Sequence, residues 1–173
     1  HGIGVLGDGT GSTSLFNKSD VEVDICIGTL SKSIGSYGGF VCGKENLVNF
    51  LINRCRTQIY TTGLPPSVLA ASIEGIKIIQ SNPMLIKKPL DNAKYFCKLL
   101  NLNLPKSPIV PIILKDEKKV IDACKYLSAK GYLVGGIRPP TVPKNTSRLR
   151  LAFNSSHDKK SIKNISNLIK KFI

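Results

Sequence analysis

VEVDICIGTLSKSIGSYGGFVCG, residues 21–43, is the stretch on which the fold turns. Val21–Thr29 is rich in β-branched side chains that alternate and then run continuously apolar, which reads as a buried strand. Gly38–Gly43 reads as a second, short strand. Between them Gly28–Gly39 (GTLSKSIGSYGG) sets Lys32 in a run of Gly, Ser and Thr, off any ordinary solvated helix face. Enclosure there would lower an ammonium pKa, and a lysine needs its neutral amine to form a Schiff base. Hydroxyls at Thr29 and Ser31, beside small residues, can approach a phosphate closely. From the spacing alone, a plain loop lysine among turn residues is the more ordinary reading.

Upstream, HGIGVLGDGTG carries Gly2, Gly4 and Gly7 at G-x-G-x-x-G spacing. A dinucleotide turn needs a strand before that spacing and a helix after it. Only His1 precedes Gly2, and Asp8–Thr13 is loop chemistry. Glu22 near the expected acidic offset is a lone acid at a common distance. The glycines therefore read as a loop rather than a nucleotide fingerprint.

Downstream, Lys44–Arg56 has Leu47, Phe50, Leu51 and Cys55 at helical spacing, and Pro65–Gln80 is a helix with proline in its first turn. Ser81-Asn82-Pro83 breaks it, and Leu90–Leu100 is another amphipathic helix. The pattern then starts afresh. Pro108–Leu114 is a strand with prolines, near an edge or a strand start. Glu117–Lys130 is a helix with Gly131 as its cap. Tyr132–Ile137 and the alternating Arg148–Phe153 (RLRLAF) are strands, and Asp158–Phe172 is a terminal helix with Asp158 in its first turn. The expected division is 1–87, the end of a larger α/β domain, and 88–173, a small α+β domain with helices on one face of a sheet.

The 173 residues carry 25 Lys and Arg against 11 Asp and Glu, a formal charge of +14. Lysine spread along the chain, with few aromatics between, reads as solvated faces and gives stacking on single-stranded nucleic acid little support. No run of about 18 apolar residues suggests a membrane span, and no signal peptide is visible. Cys26, Cys42, Cys55, Cys97 and Cys124 are far apart, with no His at metal-ligand spacing, so no metal site is expected. They read as reduced, buried thiols of a cytoplasmic protein. In the alternating strand, Arg148 and Arg150 point to one face, beside apolar Leu149 and Leu151. A planar arginine fork is the best grip on a carboxylate, although structural ion pairs would also account for the two arginines. His157 reads as a surface residue at a helix start.

Five segments together resemble the α-oxoamine synthases: HGIGVLG (1–7), GTLSKSIGSYGGFVCG (28–43), QIYTTGLPPSVLAAS (58–72), SPIVPIIL (107–114) and GYLVGGIRPPTVPKNTSRLRLAFNSSH (131–157). Their order and approximate spacing match, over nearly the whole chain but only the C-terminal half of the family's usual length. The resemblance implies an α/β fold: the C-terminal part of the large domain of the aspartate-aminotransferase type, with the small α+β domain. It implies pyridoxal 5'-phosphate as cofactor. It makes Lys32 the lysine that holds the cofactor covalently and acts as catalytic base, and Thr29 a phosphate contact. His1 becomes the histidine bonded to the cofactor's phenolic oxygen, and Thr61 or Thr62 a hydroxyl reaching the neighbouring subunit's phosphate, in a homodimer. Arg150 becomes the grip on the amino-acid carboxylate, Thr141 a substrate contact, and Arg138 a second carboxylate or acyl-chain contact. The form GGIRPPTVPKNTSRLRLAFNSSH (135–157) is most similar to the branch that condenses L-alanine with a pimeloyl thioester, with loss of carbon dioxide, for biotin biosynthesis, and the other branches differ at Ile137–Thr141. The aminolevulinate- and 2-amino-3-oxobutyrate-forming branches are the alternatives.

The family's aspartate for the pyridinium nitrogen lies three positions before its histidine, outside this sequence, as do the ring-stacking aromatic and the N-terminal phosphate contacts. A first residue that is not Met reads as a fragment or processed piece. The 173 residues alone are therefore expected to be inactive and, with uncovered strand edges, prone to aggregate. A non-catalytic remnant kept for a partner interaction and a basic nucleic-acid binder are the competing readings.

Overall fold

The structure, a computed structural model, describes residues 2–16 and 22–173. The chain divides into two compact units, His1–Ile86 and Lys87–Ile173.

The first unit holds a two-stranded antiparallel sheet, β1 (Ile25–Thr29) and β2 (Gly39–Gly43), with Ile25 opposite Gly43 and Thr29 opposite Gly39. Helices α1 (Glu45–Arg54), α2 (Arg56–Ile59) and α3 (Pro66–Ser81) follow. Pro66 opens α3, where its missing N–H costs nothing. The expectation of a buried first strand is corrected on two counts. Val21 lies outside the described residues, and Glu22–Asp24 are not strand. The strand itself is largely open: Ile25 is 48% and Ile27 75% exposed. The cause is the pleat. Ile25, Ile27 and Val41 share the face of this ribbon opposite Gly28 and Phe40, and among the described residues little covers it.

The second unit has a finished core. Most of α4 (Pro83–Leu99) belongs to it, followed by β3 (Ile109–Lys115), α5 (Glu117–Ala129), β4 (Gly135–Ile137), β5 (Ser147–Ala152) and α6 (Lys159–Ile169). The sheet order is β3-β5-β4, all antiparallel. Period-two alternation sends Val110, Ile112 and Leu114 from β3, and Leu149 and Leu151 from β5, to one face, where Phe96, Val120, Leu127, Ile162 and Ile169 of the helices meet them. Gly136 of β4 lies hard against α5: a Cβ there would stand 2.8 Å from Val120 Cγ1 and 2.9 Å from Cys124 Sγ.

Helix ends follow the chemistry of their residues. The Asp116 carboxylate accepts from the Lys119 N–H at 2.7 Å and starts α5. At its end Tyr132 N–H donates to Leu127 C=O and Gly131 N–H to Ser128 C=O, both at 2.9 Å, with Gly131 at φ 82°: a Schellman closure. Asp158 is the N-cap of α6 rather than a first-turn residue, accepting from Ser161 N–H at 2.7 Å. The fourth helix starts at Pro83, earlier than Leu90, and runs through Pro89. Pro89, Ala93, Phe96 and Leu100 form one buried stripe, so the proline ring joins the apolar face and packing outweighs one lost backbone bond. The strand expected over Tyr132–Ile137 shortens to Gly135–Ile137 because residues 131 and 132 are spent on closing α5.

Candidate cofactor and substrate site

The loop Leu30–Gly38 joins β1 to β2 and carries Lys32. It is pinned at both ends: Leu30 N–H donates to Gly38 C=O and Ser36 N–H to Leu30 C=O, each at 2.9 Å. Gly35 N–H closes a turn on the Lys32 carbonyl at 3.0 Å. The side chains of Leu30 and Ile34 are buried, so the loop is anchored by its apolar residues while its polar ones face outward. Thr29 Oγ1 lies 2.8 Å from Ser31 Oγ, receives the Ser31 N–H at 3.2 Å and reaches the Gly38 carbonyl at 3.3 Å. Ser31, Gly38 and Gly39 edge an open cleft of about 580 Å³ whose other wall is Gln58, Thr61 and Thr62.

Lys32 follows Ser31 directly. Its side chain is exposed, so the enclosure expected of it is not met within the described residues. Leu30 and Ile34 take the loop's buried positions, and among the described residues nothing covers Lys32 between them.

The glycine-rich start packs beside this loop. Neither strand nor α-helix forms over residues 2–16, as a dinucleotide turn would require. Instead Gly4 N–H donates to Gly9 C=O at 2.8 Å, and Ser33 Oγ donates to the Ile3 carbonyl. Gly4 has φ 70°, and a Cβ there would meet Ile79 Cδ1 at 2.9 Å and Ser33 at 3.0 Å. An apolar cleft of about 260 Å³, lined by Ile3, Ile34, Phe40, Ile76 and Ile79, opens beside Asp8. A side-chain hydrogen bond from Thr10, with another from its backbone N–H, holds the Asp8 carboxyl below the usual range.

Thr61 and Thr62 separate in the structure. The Thr61 hydroxyl donates to the Thr57 carbonyl one turn back, whereas the Thr62 hydroxyl has no partner among the described residues. Both edge the Ser31 cleft within a single chain. His1 lies outside the described residues.

In the second unit, Arg148 and Arg150 lie on the face of β5 turned away from the core. Arg148, half-buried, is flanked by Ile113 and Ile137 and donates its Nε–H to the Thr146 carbonyl at 2.8 Å. Arg150, exposed, is flanked by Pro111 and Gly135, neither of which carries a long side chain over it. The two ion pairs among the described residues are Lys44–Glu22 and Lys77–Glu74, so neither arginine is held in a structural ion pair there. Arg138 and Thr141 are the ends of one turn, Thr141 N–H to Arg138 C=O at 3.0 Å, around the cis Pro139–Pro140 peptide. Arg138 lies close enough to Cys124 for its charge to lower that thiol's pKa, although burial, the larger effect, raises it.

Sequence reading missed Gln58 and Tyr37, which line the cleft, and Asn92. Asn92 is 2% exposed and donates to the carbonyls of both Asn154 and His157 at 3.0 Å, fixing the loop before α6. His157 is not a free surface residue either, since its Nδ1 accepts the Asn154 N–H at 3.3 Å. Among the five cysteines only Cys97 is buried; Cys26, Cys55 and Cys124 are intermediate and Cys42 is exposed, against the expectation of buried thiols. Among the described residues no cluster suits a metal ion, and no helix is long and apolar enough to cross a membrane.

Residues 1–169 match aminotransferase class I and II. The chain belongs to that family. Within the class I and II aminotransferase family, an 8-amino-7-oxononanoate synthase from Maricaulis maris is 43% identical over all 173 residues, which span 44% of its length. The structure of 8-amino-7-oxononanoate synthase from Francisella tularensis superposes with a TM-score of 0.83 at 29% identity, over 99% of this chain and 52% of that one. An SPT structure with a PLP internal aldimine superposes with a TM-score of 0.89 at 26% identity, over 99% of this chain and 45% of that one. The chain thus spans about half or less of the length of these relatives.

Proposed function

We propose that this chain supplies the lysine loop and the arginine strand of a pyridoxal-phosphate-dependent α-oxoamine synthase that joins L-alanine to a pimeloyl thioester, with decarboxylation, to give 8-amino-7-oxononanoate. The observation that carries the proposal is the Lys32 loop running directly out of a cleft edged by Ser31, Gly38, Gly39 and Thr62. That donor set fits a phosphate. It offers hydroxyls and exposed glycine backbone, and no carboxylate lines it. The relatives named 8-amino-7-oxononanoate synthase favour this branch over the other α-oxoamine synthases.

Each residue has a role under this reading. Thr29 and Ser31 orient one another's hydroxyls at the end of β1, and Thr62, unpartnered, donates to a phosphate oxygen. Thr61 is the weaker donor because its proton is engaged with Thr57. His1 would bond the phenolic oxygen. Lys32 Nζ holds the cofactor and, once free and neutral, takes the proton from the α-carbon of alanine. Pyridoxal phosphate, when bound, supplies the electron sink for that carbon. Arg150 presents its guanidinium fork to the alanine carboxylate, with Thr141 and Arg138 toward the acyl partner. The thioester leaving group is coenzyme A or a carrier-protein thiol. The complete enzyme is read as a cytoplasmic homodimer.

The test is an absorption spectrum of the chain joined to the N-terminal part of such a relative, with added pyridoxal phosphate, for native Lys32 and for Lys32→Ala. A visible band that requires Lys32 and shifts with L-alanine is expected. A soluble, folded fusion with no Lys32-dependent band would remove the enzyme reading in favour of a non-catalytic remnant.

A further inference from the structure

The β4–β5 register ends at the pair Ile137–Arg148, and the chain crosses between the strands as the loop Arg138–Thr146. Pro139, Pro140 and Pro143 carry no N–H, so much of this loop has no donor with which to anchor itself. Its other bonds close on the loop. Thr141 N–H donates to the Arg138 carbonyl at 3.0 Å, and Thr146 donates to the Pro143 carbonyl through its N–H at 3.2 Å and its hydroxyl at 2.7 Å. Among the described residues, Arg148 is the one side chain outside the loop that hydrogen-bonds to it. Its Nε–H donates to the Thr146 carbonyl at 2.8 Å, at the loop's exit. Arg148 also stands opposite Ile137, the residue that leads into the loop, so a single side chain sits at both of the loop's ends. Arg148 is half-buried with its register neighbours Ile113 and Ile137, all three in the second unit.

We infer that Arg148 is a positioning residue: by holding the Thr146 carbonyl it fixes the Arg138–Thr146 loop, and so keeps Arg138 and Thr141 aimed at the acyl donor. The role rests on the function proposed above, which sets those two residues toward the acyl partner. An arginine suits it for a geometric reason. The Nε–H is fixed in the guanidinium plane, so its bond sets a direction as well as a distance, whereas a lysine ammonium rotates freely. A bond from a charged donor is also stronger than one between neutral groups. Proline rings fix φ along the loop, so an orientation set at Thr146 is carried back toward Arg138. Arg138 and Thr141 close one turn on each other and move together. A loop released from Thr146 misplaces the contacts to the acyl donor. The grip on alanine is spared, because Arg150 stands on β5 between two paired strands.

Two variants test it. Arg148→Lys keeps the charge and Arg148→Met keeps the apolar stem, and both lack the Nε–H. Hydrogen exchange is read on the full chain without cofactor. In both variants the Thr141 and Thr146 amides are expected to exchange roughly 10-fold faster, the weight of about one hydrogen bond. The Leu149 and Leu151 amides are expected to keep their native rates. Steady-state kinetics are read on the chain joined to the N-terminal part of a relative, with L-alanine and pimeloyl-coenzyme A. Both variants are expected to raise the KM for pimeloyl-coenzyme A roughly 10-fold, with the alanine KM and kcat little changed. Loop amides that keep their native rates, or KM values for the two substrates that rise together, would overturn the inference while leaving the proposed function in place. A pimeloyl-coenzyme A KM that Arg148→Lys leaves at its native value would overturn it too, since charge rather than the Nε–H bond would then be at work. A joined native chain with no Lys32-dependent band would remove the proposed function and this role with it.

Discussion

Arg148 and Arg150 stand on the same open face of β5, yet only Arg148 is tied down, by its Nε–H bond to the Thr146 carbonyl. The alternation of RLRLA puts both charges on one side, and the ladder then distinguishes them: isoleucines flank Arg148, while proline and glycine flank Arg150. A guanidinium with no partner among the described residues and low neighbours is the one free to grip a carboxylate. In the chain joined to an N-terminal part of the family, Arg150→Lys is expected to raise the KM for alanine roughly 10- to 100-fold, the weight of a hydrogen bond to a charged group. Arg148→Lys is expected to change it far less. Equal effects on alanine KM from the two substitutions would sink the assignment of Arg150.

Much of the secondary structure of the second unit was readable because its signals are local and its core is complete. RLRLAF alternates, PIVPIIL reads as a strand despite its prolines, and Gly131 announces a helix stop, whereas the capping carboxylates Asp116 and Asp158 show their role only in the structure. The first unit was harder for a physical reason. ICIGT is a sequence suited to burial on both faces, but within the described residues it has one antiparallel neighbour and an open side. The exposure of Lys32 has the same origin. Asn92 was invisible because its two carbonyl partners lie more than sixty residues downstream, and no local pattern encodes such a contact.

Asn92 and Ser147 make opposite predictions about buried polar groups. Truncating Asn92→Ala leaves the Asn154 and His157 carbonyls without their donor, and a loss of about 1–3 kcal/mol in unfolding free energy is expected. Ser147 Oγ is fully buried with no partner among the described residues, so Ser147→Ala removes an uncompensated hydroxyl. It is expected to be neutral or to stabilise by about 1 kcal/mol. Urea unfolding of the two variants checks both, and a strongly destabilising Ser147→Ala would show that the hydroxyl is in use.

Gly136 tests how tightly α5 lies on the sheet. An added methyl would meet Val120 Cγ1 and Cys124 Sγ inside 3.0 Å, in a core with no slack. Gly136→Ala is expected to cost about 1–3 kcal/mol. Trimming the opposing contact in the double variant Gly136→Ala, Val120→Ala is expected to give less than the sum of the two single losses. Strict additivity in thermal or urea unfolding would mean that the strand, rather than the helix, absorbs the methyl.

Asp158 gives the chain a predictable response to acid. The Ser161 backbone N–H, with its side chain and the nearby Lys160 in support, holds the Asp158 carboxyl below its ordinary value of 3.8. A folded-state pKa below the unfolded one means stabilisation that is fully present above the unfolded value and is lost as pH falls through the folded one. Asn is as good an N-cap as Asp but carries no charge to titrate. The stability of the native chain relative to Asp158→Asn is therefore expected to be constant from pH 7 to about 5 and to decline progressively below about 4. Urea unfolding across that range, read through helix ellipticity, checks it. A difference that held unchanged to pH 2 would mean that the cap works through its shape and not its charge.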